Sequence, residues 1–329
     1  MKRDHKAIAL FSGGLDSVLA VLYMKSLGYE VLPVFFESPF YTSTKAKEGA
    51  KAAGFEIRIV NITDEIITVI KAPRYGFGKN MNPCIDCHGM MFRKAAEIMK
   101  EVGADFVISG EVLGQRPMSQ RKDAMNAVAK LSGIRDLLVR PLCQKLIADT
   151  RPITEGWVNK DEMLDIQGRN RKRQIALAAE IGLTDFEAPG GGCLLTEKQI
   201  SDKVRDLLEH DQLDKAHLKF IKQGRRARLS ENTILIIGRT QFDNEYITKN
   251  IDNEIVIKAT HFPGPLGVLL GDGATEAEIE LAGGIILSYN NKIKTETAEV
   301  EYGKKFELEN KKEVKVLTKE SFQDLLINK

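Results

Sequence analysis

The sequence predicts an α/β protein, a doubly wound parallel sheet followed by a smaller α+β domain. Two observations carry this. In the first half, short apolar runs alternate with helical patterns, as parallel strands joined by crossover helices require. From about Asp211 the pattern changes to short β-branched runs among turn residues. The length of 329 residues also suits about two domains, each with its own core.

Taken in order, Ala7–Phe11 is an apolar first strand, and Val18 to Leu27 an amphipathic helix closed by Gly28. Glu30–Phe36 is a second strand, followed by an Ala/Lys helix that ends at Gly54. Ile57–Val60 is a third strand and Asp64–Lys71 a short helix. After a loop rich in Gly, Asn and Pro, Met90–Val102 is helical, Ala104–Ser109 is the next strand and Leu137–Val139 another. From Asp149 to about Leu208 the pattern is helical, broken by Pro189–Gly192. Beyond it, Thr233–Ile237, Glu254–Ile257, Gly284–Leu287 and Val314–Leu317 are candidate strands. This divides the chain into 1–148, a nucleotide-binding domain; 149–210, a helical segment completing it; and 211–329, an α+β module. The last boundary falls between 205 and 215.

Hydrophobic content of 43% with 29% charge is that of a soluble globular protein. The charged start Met1–Lys6 is no signal peptide, and no run approaches the roughly 18 apolar residues of a spanning helix. The expectation is a cytoplasmic protein with no membrane partner. A net charge of +2 is too small to imply nucleic acid globally. Two local runs are dense enough to neutralise phosphates, Arg169–Arg173 and Lys219–Arg228, although each also suits a solvated helix face.

The most informative segment joins the first strand to the first helix. Ser12-Gly13-Gly14-Leu15-Asp16-Ser17 sits where an open α/β sheet binds ligands. Adjacent glycines let the backbone approach an anion, and the amides opening the helix point at it. Ser12 and Ser17 add hydroxyl donors, and Asp16 is placed to hold Mg²⁺. No lysine follows Gly14 until Lys25, which excludes a Walker A loop, and adjacent glycines exclude a GxGxxG turn. The segment reads as a pyrophosphate cradle.

Four cysteines without a secretory signal argue against a disulfide framework. Cys143 follows an apolar strand and reads as a packed small hydrophobe. Cys84 and Cys87 form P-C-I-D-C-H ahead of a helix, and Cys193 stands in G-G-G-C-L-L-T. A C-x₂-C pair fits a metal half-site, a redox pair or a persulfide-bearing thiol. With His88 as a fourth ligand, a structural zinc also stays open.

The S-G-G-x-D-S segment resembles the PP-loop of the N-type ATP pyrophosphatases, which implies cleavage of ATP between its α and β phosphates. Ser109-Gly110-Glu111-Val112-Leu113-Gly114-Gln115, ending in Ser119-Gln120, resembles the G-E-x-L-G-Q segment of tRNA 4-thiouridine synthetases, and Arg140-Pro141-Leu142 their following strand. Cys87 and Cys193 stand where the tRNA 2-thiouridylases carry paired catalytic cysteines. These resemblances cover about residues 7 to 200. His217–Phe220, Ile237–Arg239, Asp243–Glu245 and His261–Pro265 resemble the NFACT RNA-binding domain, which implies RNA contact by the C-terminal module. His261 equally suits a turn histidine beside Pro263.

The resemblance implies a fold of the adenine-nucleotide α-hydrolase type and an ATP-dependent tRNA sulfurtransferase. In it a pyrimidine carbonyl oxygen is adenylated and replaced by sulfur, with 2-thiouridine favoured over 4-thiouridine. Ser12, Gly13, Gly14, Asp16, Ser17, Ser109 and Gly110 would bind ATP, with Asp16 on Mg²⁺. Asp16, Cys87 and Cys193 would be catalytic. Cys84, Cys87 and Cys193 would hold a 4Fe-4S cluster with one iron open to sulfide; the alternatives are a cluster-free persulfide route or a small-molecule substrate. Arg169, Arg171 and Arg173 are the expected tRNA phosphate contacts. The implied partners are tRNA and a sulfur donor, sulfide or a cysteine desulfurase relay, with a homodimer open.

Overall fold

The structure, a computed structural model, describes residues 3–184, 186, 193–271 and 273–327. The glycine-rich stretch Pro189–Gly192 lies outside the described residues. The chain forms two compact units, one ending at Thr196 and one beginning at Glu197.

The first unit runs β1 (Lys6–Leu10), α1 (Leu15–Ser26), β2 (Glu30–Glu37), α2 (Thr44–Ala52), β3 (Arg58–Asn61) and α3 (Thr63–Lys71). It continues with α4 (Cys84–Glu101), β4 (Phe106–Ser109), α5 (Lys122–Ser132), β5 (Leu138–Val139), α6 (Arg151–Thr154) and α7 (Lys172–Glu180). Its five strands are ordered β3-β2-β1-β4-β5 and every pairing is parallel. This is the predicted doubly wound parallel sheet. The strand order reverses at β1, so the crevice beyond the carboxyl ends of β1 and β4 is where a ligand is accommodated.

Alternation places the helices. Ala7 and Ala9 join a core with Val18, Leu19 and Met24 of α1. Ile8, fully buried between them, points to the opposite face, where α4 packs on β1. All four residues of β4 are buried, as a central strand covered on both faces must be. Fully burying each Leu, Ile or Phe here contributes about 1.5–3 kcal/mol before entropy is counted.

The second unit holds α8 (Lys198–Glu209), α9 (Lys215–Leu218), β6 (Arg225–Arg228), β7 (Ile234–Ile237) and α10 (Gln241–Asn250). Then come β8 (Ile255–Ala259), β9 (Gly267–Leu270), α11 (Glu276–Ser288), β10 (Thr297–Lys304) and β11 (Asn310–Lys315). The strands form one antiparallel sheet, ordered β11-β10-β8-β9-β7-β6. Helix α8, which the sequence groups with the first half, is part of this unit. Lys203 Nζ donates to the carbonyls of Ile221, Gln223 and Gly224 at 3.1–3.3 Å, and Arg228 pairs with Asp206.

Gly284–Leu287 is not a strand but the last turns of α11. A capping box, Thr275 with Glu278, starts this helix. A Cβ on Gly284 would lie 2.7 Å from the Lys315 carbonyl oxygen, so the glycine lets the helix backbone settle on the sheet. Close packing overrides the β propensity of Ile285 and Ile286.

Candidate functional site

The loop between β1 and α1 is shaped by glycine and tied by its serines. Gly13 has φ +81°, and a Cβ there would stand 2.7 Å from Ala46 Cα in α2. From the other side, a Cβ on Gly49 of α2 would meet the Gly13 carbonyl oxygen at 2.7 Å. Ser17 Oγ accepts from the Ser12 amide at 3.2 Å and donates to the Gly14 carbonyl at 2.8 Å. Helix α1 is entered at Gly14 with no side-chain cap; the Ser17 amide donates to the Gly14 carbonyl at 3.0 Å, which leaves those of Leu15 and Asp16 for a bound anion.

Asp16, in the first turn of α1, is held from outside the loop. Its Oδ2 accepts from Gln115 Nε2 at 2.6 Å and from Arg171 Nη2 at 2.9 Å, while Gln174 Nε2 donates to Gln115 Oε1 at 2.9 Å. Its Oδ1 is buried without a protein partner. That orphaned carboxylate oxygen fits a Mg²⁺ ligand, an oxygen donor beside the anion site.

Three expected phosphate contacts therefore separate. Arg171 turns inward to Asp16. Arg173 is exposed and pairs with Asp165 at 2.5 Å, and Arg169 is exposed. The second basic run is largely consumed inside its own unit. Arg226 is fully buried, Arg228 pairs with Asp206, and Lys219 pairs with Asp252 and Glu254; Arg225 is exposed, its guanidinium over the Tyr289 ring. His261, 71% exposed in its side chain, lies 3.6 Å from Glu299.

At the end of β4 two consecutive residues face two different parts of the site. A Cβ on Gly110 would come within 2.5 Å of the Asp16 backbone carbonyl, so only glycine lets this strand end touch the start of α1. Glu111, the next residue, is buried and reaches toward the cysteines. Its Oε1 lies 3.2 Å from His88 Nδ1, and its Oε2 accepts from Arg140 Nε at 2.8 Å and Ser109 Oγ at 3.2 Å. Burial opposes its charge, yet Arg140 and His88 outweigh that cost and hold the carboxyl at about 2. Ser109, expected to line the nucleotide, is 3% exposed and spends its hydroxyl on Glu111.

Cys84 and Cys87 do not lie ahead of a helix, as the sequence suggests, but open α4. Pro83 is the cap residue and Asp86 satisfies amides of the preceding loop, so the helix starts six residues before Met90. Cys87 is buried and shares a 3.7 Å hydrogen bond with Tyr41 Oη. Burial, then the neighbouring Cys193 thiol, push the Cys87 thiol up to about 12, with Cys84 adding to the effect. Burial and the Cys87 and Cys193 thiols likewise raise Tyr41 well above its usual value. Cys84 and Cys193 thus both act electrostatically on Cys87. Their donor chemistry fits an iron–sulfur cluster, three soft ligands with one metal position left over. Among the described residues, however, no group of three or more His, Cys, Asp or Glu side chains is arranged as a metal site. Cys143 stays apart, fully buried, with its Sγ 3.3 Å from the Glu111 carbonyl oxygen.

Glu111, Arg140, Gln115 and Tyr41 were not assigned roles from sequence, and His88, raised there as a possible zinc ligand, instead pairs with Glu111. Glu111 and Gln115 lie in the quoted G-E-x-L-G-Q segment and Arg140 in R-P-L, so the motif marked them without revealing what they touch.

Residues 3–148 match the family described as thiamine biosynthesis protein (ThiI), and residues 224–326 match the NFACT protein RNA binding domain. A "Probable tRNA sulfurtransferase" of Thermococcus kodakarensis is 30% identical over 171 residues, 49% of this chain and 39% of that protein. The "tRNA-specific 2-thiouridylase MnmA" of Sulfurimonas denitrificans is 26% identical over 118 residues, 33% of this chain and 35% of that protein. Among solved structures, a 4-thiouridine synthetase–RNA complex with bound ATP aligns with 66% of this chain and 52% of that one, at 19% identity and a TM-score of 0.41. The chain spans less than half the length of the curated relatives it matches here. No helix among the described residues is long and apolar enough to cross a membrane.

Proposed function

We propose that the chain is an ATP-dependent tRNA sulfurtransferase that adenylates a pyrimidine carbonyl oxygen and replaces it with sulfur. One observation carries the reading: the end of β4 touches both the anion loop and the helix that opens with Cys84 and Cys87. Gly110 lies against Asp16, and Glu111 holds the histidine next to Cys87. An enzyme that activates an oxygen and then displaces it needs these two centres in reach of one substrate atom. The match of residues 3–148 to the ThiI family and the tRNA sulfurtransferase relatives support the same reading.

In this reading ATP lies with its pyrophosphate on Ser12, Gly13, Gly14 and Ser17 and on the amides of α1. Asp16 Oδ1 would hold Mg²⁺, which spreads charge on the phosphates, while Gln115 and Arg171 keep the carboxylate oriented. The pyrimidine oxygen attacks the α phosphate and pyrophosphate leaves. A sulfur nucleophile then adds to the activated carbon and AMP departs with the original oxygen. Sulfide or a cysteine desulfurase relay supplies the sulfur, and tRNA phosphates lie on Arg169, Arg173 and the exposed face of the second unit. We take the 2-carbonyl as the oxygen replaced.

Cys84, Cys87 and Cys193 would hold a 4Fe-4S cluster, which supplies an open iron for sulfide when bound. A second reading needs no cluster and uses Cys87 and Cys193, which act electrostatically on each other. There Cys193 carries a persulfide whose outer sulfur, received as sulfane sulfur from the cysteine desulfurase relay and not from sulfide, attacks the carbon. Cys87 then closes a disulfide with Cys193, and an external thiol reduces it. Anaerobic purification separates the two: about four irons and a brown chromophore support the cluster, and their absence supports the persulfide. The function itself is tested by incubating the protein with ATP, Mg²⁺, bulk tRNA and a sulfur donor, sulfide or a cysteine desulfurase with cysteine. Formation of AMP that depends on tRNA is expected, and AMP formation indifferent to tRNA would overturn the reading.

A further inference from the structure

Between α3 and α4, residues 73–80 read Pro-Arg-Tyr-Gly-Phe-Gly-Lys-Asn, and none of the chemistry above uses them. Tyr75 and Phe77 are 43% and 37% exposed, two large apolar rings in solvent within three residues. Arg74 and Lys79, on either side of them, are exposed too. A single exposed ring needs no explanation. Two rings spaced by one glycine and flanked by cations are a different matter when the backbone beneath them is fixed.

This backbone is fixed at both ends to the thiol-bearing segments. The Asp86 carboxylate, in the first turn of α4, accepts from the amides of Arg74 at 2.9 Å and Tyr75 at 3.0 Å. Asn82 Oδ1 accepts from the Asn80 amide at 3.2 Å, and its Nδ2 donates to Cys84 Sγ at 3.2 Å. Gly78 donates its amide to the Asn82 carbonyl at 3.0 Å, and a Cβ on Gly78 would come within 2.4 Å of Asn82 Nδ2. At the far end Asn80 Nδ2 donates to the Thr196 carbonyl at 2.6 Å, and Thr196 Oγ1 donates to the Cys193 carbonyl at 2.7 Å. The loop is therefore held by the same two segments that carry Cys84, Cys87 and Cys193.

Aromatic rings with adjacent cations, preorganised in solvent, take up unstacked nucleotides: the rings cover a base and the cations meet its phosphates. The geometry points to residues 74–79 as a platform that receives an unstacked tRNA nucleotide at the thiols. A base lies on Tyr75 or Phe77, and neighbouring phosphates lie on Arg74 and Lys79. The inference rests on the tRNA reading above and narrows it. The target pyrimidine arrives single-stranded or flipped out, since a base inside a helix has no free face to offer.

The test uses the full chain and two readouts. An oligouridylate carrying 4-thiouridine is photo-crosslinked and the joined peptide identified by mass spectrometry; separately, the KM for bulk tRNA is measured through AMP release. The crosslink is expected within residues 74–79. The Tyr75→Ala/Phe77→Ala double variant should lose it and raise the KM for tRNA by about tenfold or more. Its KM for ATP should stay within about twofold, and its melting temperature should not move, because both rings are exposed. Tyr75→Phe and Phe77→Tyr, which keep the rings, should retain crosslink and KM. Crosslinks confined to other segments, with KM for tRNA unchanged in the double variant, overturn the platform while leaving the sulfurtransferase reading intact. If the unaltered protein forms no tRNA-dependent AMP, that reading falls. The crosslink then decides alone: found at 74–79 it keeps an RNA platform, and found elsewhere or nowhere it removes it.

Discussion

At Ser12–Ser17 the backbone does the positioning, whereas at the thiols the side chains do it. The loop owes its shape to Gly13 at positive φ, to the close approach of α2 and to two serines five residues apart. The cysteine segment is placed by side chains: Tyr41, distant in sequence, on Cys87; Asn82, two residues away, on Cys84; and Glu111 on His88, the residue after Cys87. A site built from backbone tolerates almost no added atom. A site built from side chains can lose one function and keep another, and the two regions should therefore fail differently.

The largest effect is expected at the loop. Gly13→Ala forces a Cβ into α2 at a positive φ, and tRNA-dependent AMP formation should fall by about 100-fold or more. Next come the thiols. Cys84→Ser, Cys87→Ser and Cys193→Ser should each cut thionucleoside yield by about 100-fold while first-turnover release of tRNA-dependent pyrophosphate stays within about threefold. Equal loss of both products in these variants would show that the two regions are not separable.

A third effect concerns stability. Glu111 is held at about 2 against an ordinary value of 4.5. The unfolded chain therefore takes up the extra proton first as pH falls. The stabilisation is complete above about pH 4.5 and is lost as pH falls from there through 2. Glu111→Gln should remove this acid-dependent step and cost about 3 kcal/mol at neutral pH, since it leaves Arg140 buried without its counter-charge. Urea melts from pH 7 to pH 3 would measure both.

Smaller effects sharpen the contrast. With iodoacetamide at pH 8, Cys84 and Cys193 should label well before Cys87 and Cys143, which are buried and have thiols raised to about 12 and 11. Peptide mass spectrometry would order the four sites. Arg169→Glu and Arg173→Glu should weaken tRNA binding a few-fold and lower the salt slope by about one each. Arg171→Glu should instead depress AMP formation, because Arg171 serves Asp16.

What was legible in the sequence follows the same division. The strands of the parallel sheet and the turn at Ser12–Ser17 depend largely on residues near one another in the chain, so apolar runs, Gly13-Gly14 and Ser17 revealed them. Cys84, Cys87 and Cys193 stood out by type and count, but Tyr41 and Glu111 gave no sign of their part, since long-range contacts leave no local pattern; Asn82, only two residues from Cys84, was not distinguished from the other polar residues of its loop. The start of α4 at Cys84 was hidden because Pro83 and the loop glycines resemble a turn that continues. In the second unit the β-branched residues of α11 suggested a strand, and only the close approach at Gly284 explains the helix. The run Lys219–Arg228 looked like one basic patch, yet Arg226 and Arg228 serve the interior of their unit.

The central claim is that oxygen activated at one region is replaced by sulfur at the other, on tRNA. Mass spectrometry of nucleosides in tRNA from cells with and without this protein tests it most directly. The account predicts that one thiolated pyrimidine, 2-thiouridine or a derivative, disappears without the protein and returns with the intact chain but not with Cys193→Ser. An unchanged set of thionucleosides in cells lacking the protein would contradict it.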